Sequence, residues 1–328
     1  MSPASREHFA GLVEIGDGRR LYLACKGSGS PAVVLESGYG HSGRAWNTDV
    51  LPFSWTPPDG PRATVFEGVS AFTRVCLYDR PGTIFPVPKP FAPSRSDPAP
   101  MPRSAGAMVD DLHAGLTAAA IPAPYVFVGH SLGGLLGRAF AGLYPDEVAG
   151  LVLVDTFSAE LWNRLQAALP ARDRAALEAL EQGPREELRS VYPEAELLDL
   201  NAIVDEAQAI TAAHPLRPMP LAVLTRGQPL SDVVPAEAAP ADFAWDALER
   251  EALAAQHSLA GLVPDARQVI LPECGHMIQL DRPDIVIETI RQVVEAVRAP
   301  ASWTTGEART AEVLPDRDVL HYDRSERD

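Results

Sequence analysis

The residues best suited to chemistry in this chain lie at 127–135, Phe-Val-Gly-His-Ser-Leu-Gly-Gly-Leu. Ser131 is flanked by Gly129 and Gly133, and the apolar, β-prone run 125–128 leads into helix-forming residues from Leu132 to Tyr144. A serine between a strand and a helix, with small neighbours where the backbone reverses, is held clear of the sheet in a strained turn. Its hydroxyl can then act as a nucleophile, and the Leu132 N–H at the helix start favours a developing negative charge. The pattern Gly-x-Ser-x-Gly alone also fits a βα turn whose serine only caps the helix; the strand, turn and helix around it favour the chemical role.

Other groups fall at the ends of expected strands. Ser37-Gly38-Tyr39-Gly40-His41 follows the strand 32–36, and its glycines let the Tyr39 N–H converge with that of Leu132 as a second oxyanion donor. An ordinary Gly-rich loop is the plainer account, with His41 at a pocket rim or simply in that loop. Asp155 ends the apolar run Leu151-Val152-Leu153-Val154, as at the tip of a buried parallel strand. His276 follows Gly275 in the loop between the last strand, 268–271, and a last helix with Pro283 in its first turn. The eight histidines show no His-x-x-x-His spacing and the cysteines no Cys-x-x-Cys, so no metal and no cofactor is expected.

The elements that must position these groups alternate along the chain. A hairpin, 12–15 and 19–25, turns at Gly16-Asp17-Gly18. Strands follow at 32–36, 74–78, 125–128, 151–154, 221–225 and 268–271. The helix 104–120 carries Met108, Leu112 and Leu116 on one face, and the last helix carries Val286, Ile290, Val293, Val294 and Val297. Such alternation implies an α/β fold with a doubly wound, mostly parallel sheet. Residues 44–72, with Trp46, Trp55 and Pro57-Pro58, are expected as an irregular helix plus an insertion, and the eight prolines from Pro81 to Pro102 as an extended loop. Asp79 and Arg80 are expected to brace the loop beneath the site.

From 156 to 214 the strand signal gives way to helical segments at 161–169, 172–181, 186–191 and 198–211, which predict a helical cap insertion. The expected organisation is a core of 1–156 and 216–298, a cap of 157–215 and a mobile polar tail of 299–328.

Composition narrows the partners. The 28 basic and 44 acidic residues give a formal net charge of -16, which opposes nucleic acid and anionic membranes and favours a small, largely apolar substrate. The charge-free stretch 112–137 contains Pro122, Pro124, His130 and Ser131, so it predicts a helix end, a strand and a turn in place of a membrane span. Three scattered cysteines, Cys25, Cys76 and Cys274, predict no disulfide framework and a reducing compartment. The N-terminus has no apolar signal core, and a cytoplasmic protein is expected.

With these motifs placed, the chain resembles the α/β-hydrolase fold superfamily over about residues 12–298. It is most similar to bacterial serine esterase-like members carrying Val-Val-Leu-Glu-Ser-Gly (33–38), Tyr-Asp-Arg-Pro-Gly (78–82), Gly-His-Ser-Leu-Gly-Gly (129–134) and Gly-His-x-Ile-Gln-Leu-Asp-x-Pro (275–283). The resemblance implies Ser131 as nucleophile and His276 as its base, in keeping with the need of a serine hydroxyl for an imidazole that takes and returns its proton. For the acid it leaves two positions. Most members place it after the strand 221–225, where the first carboxylate here is Asp232; others place it one strand earlier, where Asp155 stands. Hydrolysis of a carboxylic ester through an acyl-enzyme is expected, with lactone or amide hydrolysis, acyl transfer and cofactor-free perhydrolysis as alternatives on the same site. A serine at 131 argues against the carboxylate-nucleophile members, and a non-catalytic receptor of the same fold is the alternative outside enzymes.

Overall fold

The computed structural model describes residues 8–48, 63–85, 91–232, 239–304 and 312–313. Trp55, Pro57 and Pro58 of the expected insertion lie outside the described residues.

β1 (His8–Gly16) and β2 (Arg19–Lys26) form the expected hairpin. Asp17 and Gly18 take positive φ in its turn, 52° and 69°, which a short polar side chain or a glycine tolerates. β3 (Ala32–Glu36), α1 (Val65–Ser70) and β4 (Val75–Asp79) follow, then a two-residue ribbon of β5 (Ile84–Phe85) and β6 (Ala92–Pro93). The Pro-rich segment is therefore not wholly irregular, although 86–90 fall outside the described residues. α2 (Ala105–Ala118), β7 (Tyr125–His130), α3 (Leu132–Leu143) and β8 (Val148–Val154) complete the first half.

α4 (Ala159–Ala168), α5 (Ala171–Val191) and α6 (Leu200–Ala213) come next. The two separate helical segments expected at 172–181 and 186–191 are one helix, since α5 runs through Pro184 without a break. The chain returns to the sheet with β9 (Leu221–Arg226), α7 (Trp245–Leu259), β10 (Arg267–Leu271), α8 (Ile278–Asp281) and α9 (Pro283–Arg298), and α10 (Ala301–Thr304) and β11 (Glu312–Val313) are the last described elements.

The large sheet has the order β1-β2-β4-β3-β7-β8-β9-β10-β11. Pairing is antiparallel at β1–β2 and β2–β4 and parallel from β4 onward. Its two faces follow from the period of two along each strand. Val34, Phe127, Leu151, Leu153 and Val223 face α2, α3 and α7. Val33, Leu35, Val126, Val128, Val152 and Leu224 face α1 and α9. All of these are essentially solvent-free, so the sheet is covered on both sides and its strands are apolar throughout.

Two sequence expectations need correction. Cys25 and Cys76 stand opposite each other in the β2–β4 register and form a disulfide, while Cys274 is free and buried. Strand register, which sequence spacing does not reveal, brings the two sulfurs together. The reducing compartment inferred from scattered thiols thus loses its basis, since structural disulfides belong mainly to oxidising environments. Part of the polar tail is also packed: Trp303 is buried, donates from Nε1 to Asp265 O at 3.0 Å and lies under the Arg267 guanidinium. Residues 305–311 and 314–328 lie outside the described residues. No described helix is long and apolar enough to cross a membrane.

Candidate active site

Ser131 sits between β7 and α3 with φ 52° and ψ -121°. A non-glycine residue at such an angle is strained, and the surroundings hold it there. Its N–H donates to Val154 O at 3.1 Å, and its carbonyl accepts from Gly134 N at 3.0 Å and Phe157 N at 3.1 Å. The turn is tied in this way to the end of β8. Its glycines are required by close approach: a Cβ on Gly129 would lie 2.3 Å from Gly133 O, and one on Gly133 would lie 2.4 Å from Glu36 O.

Asp155 follows β8 directly, also with positive φ, 37°, which aspartate adopts more readily than most residues. Its Oδ2 lies 2.6 Å from Nδ1 of His276, which engages that ring nitrogen and leaves Nε2 as the other nitrogen of the ring. Asp155 is nearly buried and His276 half-exposed, 8% against 39%. The histidine loop is held from several directions. Cys274 O accepts from Gly227 N and Gln228 N, Gly275 N donates to Asp281 Oδ2, and His276 O accepts from His130 Nε2 at 2.9 Å. Asp232, the other acid candidate, stands exposed in a 3-10 turn beyond β9 and takes a hydrogen bond from the neighbouring Ser231 hydroxyl.

Ser131, Asp155 and His276 line one cavity of about 480 Å³, together with Tyr39 and Leu132. Leu132 is the first residue of α3, so its N–H is among the helix's unpaired opening amides. Tyr39 is clamped: its carbonyl accepts from Arg185 Nη2 at 2.8 Å, the same guanidinium lies 3.4 Å over its ring, and its hydroxyl accepts from Leu198 N. His41 is half-buried and outside the cavity lining. Two apolar clusters make up much of the wall. One joins Leu132 to Trp162, Leu198 and Leu200, and the other holds Leu165, Leu177, Leu230 and Leu248.

Beneath the Ser37–Gly40 loop lies a buried ion network that sequence alone only half predicts. Arg80 is almost wholly enclosed and donates to Ser37 O and Gly38 O, both at 2.7 Å, as well as to Glu36 and Glu196. Glu196, from the segment between α5 and α6, also accepts from Gly40 N at 2.6 Å. Burial would push Glu196 up, but its pairing with Arg80 holds it below the usual carboxylate range. The bracing role of Arg80 is readable from its position after β4; its second carboxylate, Glu196, is more than a hundred residues away in sequence and carries no signal. Asp79 braces as well, accepting from Gly43 N and the Arg95 guanidinium.

Burial, reinforced by Arg185, His276 and Arg80, pulls the His41 imidazole down to about 4. Burial, with His276 adding, pulls His130 well below its ordinary value. Both histidines bind protons more readily in the unfolded chain. Unfolding therefore takes up protons between the ordinary value of 6.5 and about 4, and stability falls as pH drops through that window. Each histidine contributes a slope of at most about 1.4 kcal/mol per pH unit. Denaturant titrations at pH 7.5 and 5.0 should lose part of this slope in His130→Asn; an unchanged slope would refute the assignment.

Residues 33–289 match the alpha/beta hydrolase family, well over half of the chain. Among curated proteins, the uncharacterized protein C23C11.06c of Schizosaccharomyces pombe is 33% identical over 156 residues, 43% of this chain and 27% of that protein. The matches span less than two thirds of the length of the curated relatives compared. Among solved structures, mouse alpha/beta hydrolase domain-containing protein 10 superposes with a TM-score of 0.55 at 17% identity, covering 88% of this chain and 99% of that one. Est816, described as an N-acyl homoserine lactone degrading enzyme, gives 0.52 at 21% identity, covering 86% and 99%. These structural likenesses concern the fold. The chain belongs to the alpha/beta hydrolase family.

Proposed function

We propose that this chain is a serine hydrolase that cleaves a carboxylic ester of a small, largely apolar substrate through an acyl-enzyme intermediate. The observation that carries the proposal is the 2.6 Å contact between His276 Nδ1 and Asp155 Oδ2 at the edge of the cavity that Ser131 also lines. With Nδ1 engaged, the imidazole is held in the tautomer whose Nε2 can take the Ser131 proton, and Asp155 stabilises the imidazolium so formed. Ser131 attacks the carbonyl, and the N–H groups of Tyr39 and Leu132 hold the oxyanion. His276 then protonates the leaving alcohol and activates the water that releases the acid. In this account 157–215 acts as a cap over the core of 1–156 and 216–298, and no cofactor takes part.

The leucine-rich walls support an apolar chain on the substrate. A panel that varies the acyl group on p-nitrophenol, and the alcohol on acetate, tests this together with labelling by a fluorophosphonate. At least one series should gain kcat/KM with chain length, since each buried methylene contributes about 0.8 kcal/mol. Leu165→Trp should erase that gain, lowering the hexyl-to-ethyl preference by more than about tenfold. Flat profiles in both series would remove the apolar substrate from the proposal, and lactone turnover without ester turnover would replace the ester.

A further inference from the structure

We propose that Arg226 and Glu249 form an opposed charge pair behind Asp155 that positions this acid and balances the charge His276 meets when it takes the serine proton. The inference rests on the Ser131, His276 and Asp155 roles proposed above.

Arg226 ends β9, the strand end where most chains of this fold are expected to carry their acid, and lines the cavity with a side chain only 8% exposed. Its Nε lies 3.4 Å from Asp155 Oδ2, the same oxygen that receives His276 Nδ1, and its backbone N–H donates to Asp155 Oδ1 at 3.4 Å. On its far side Nη1 meets Glu249 Oε2 at 2.9 Å and donates to Gln228 O at 2.6 Å. Glu249 belongs to α7, also lines the cavity, and its other oxygen accepts from Leu230 N at 2.6 Å. The result is a row of alternating charge: imidazole, carboxylate, guanidinium, carboxylate.

Two effects follow. Contacts to both Asp155 oxygens limit rotation of the carboxylate, keeping Oδ2 on His276. The guanidinium charge also opposes the positive charge that His276 acquires when it takes the serine proton, and Glu249 offsets that opposition. Other ionisable groups face His276 as well: His130 at the end of β7, with ring centroids 4.6 Å apart, His41 after β3, and Asp281 of α8 through the Gly275 N–H. The substitutions below leave all of these in place.

The test is the pH profile of kcat/KM on the best p-nitrophenyl ester for wild type, Arg226→Met, Arg226→Lys and Glu249→Gln. Removing the cation should move the midpoint of the acid limb up by about one pH unit and lower kcat at the plateau at least tenfold. Removing the Glu249 charge should move the limb down, and Arg226→Lys should keep the wild-type midpoint. Shifts of the same sign in Arg226→Met and Glu249→Gln, or limbs that do not move, overturn the proposal. Should Arg226→Met not fold, the downward shift in Glu249→Gln alone decides. Failure of the underlying roles is read separately, as full activity in His276→Ala or a wild-type profile with no acid limb.

Discussion

Ser131→Ala is expected to lower kcat on the best ester by a factor on the order of 10⁵ to 10⁶, because nucleophile, base and acid act as a unit and loss of the nucleophile alone removes nearly all of it. Covalent labelling by a fluorophosphonate should vanish in the same variant. Stability should barely change, since alanine takes the same positive φ with much the same strain. Ser131→Gly gives the complementary result: equal loss of activity but a gain of about 1 kcal/mol in unfolding free energy, because glycine relieves the strain at φ 52°. The strain belongs to the turn and the chemistry to the hydroxyl, and the two substitutions separate them. Retained labelling or activity in Ser131→Ala would dismiss this serine as the nucleophile.

Asp155→Asn is the second large effect, a loss of about 10⁴ in kcat. An asparagine has nearly the same shape, but it holds no charge against the imidazolium and can present its NH₂ to His276 Nδ1, which favours the wrong tautomer. Asp232→Asn should leave kcat within about twofold, as an exposed surface substitution normally does. Activities measured on the two variants side by side decide between the two carboxylates, and a loss confined to Asp232→Asn would reverse the assignment.

The contrast between these aspartates marks where sequence stops being informative. Gly129, Ser131 and Gly133 fall within five residues, so the turn they build is a local event written in local spacing. The strands are legible for a similar reason: burial on both faces makes each an apolar run, and Leu151–Val154 announces itself as one. A strand's tip, however, does not state which neighbouring tip its side chain will face. Asp155 meets His276 across 121 residues, and Cys25 meets Cys76 across 51, because parallel order and register put them there. Arg226 was open to notice, as a cation where a carboxylate is expected, but its meaning requires Glu249 from α7 beside it. Pro184 shows the opposite error, in which a strong local breaker signal yields to a helix continuing on both sides.

The carboxylate of Glu196 touches both Arg80 and the Gly40 amide while belonging to the α4–α6 segment. Anyone exchanging that segment for another chain's, to redesign which substrates fit, must therefore transplant this one acid with it. A graft that lacks it leaves a guanidinium buried with one carboxylate in place of two and the Gly40 N–H without its acceptor, a defect costing several kcal/mol at the loop on which the proposed oxyanion site depends. Variation is best tolerated at Leu165 and Leu177 themselves, which line the cavity with apolar side chains.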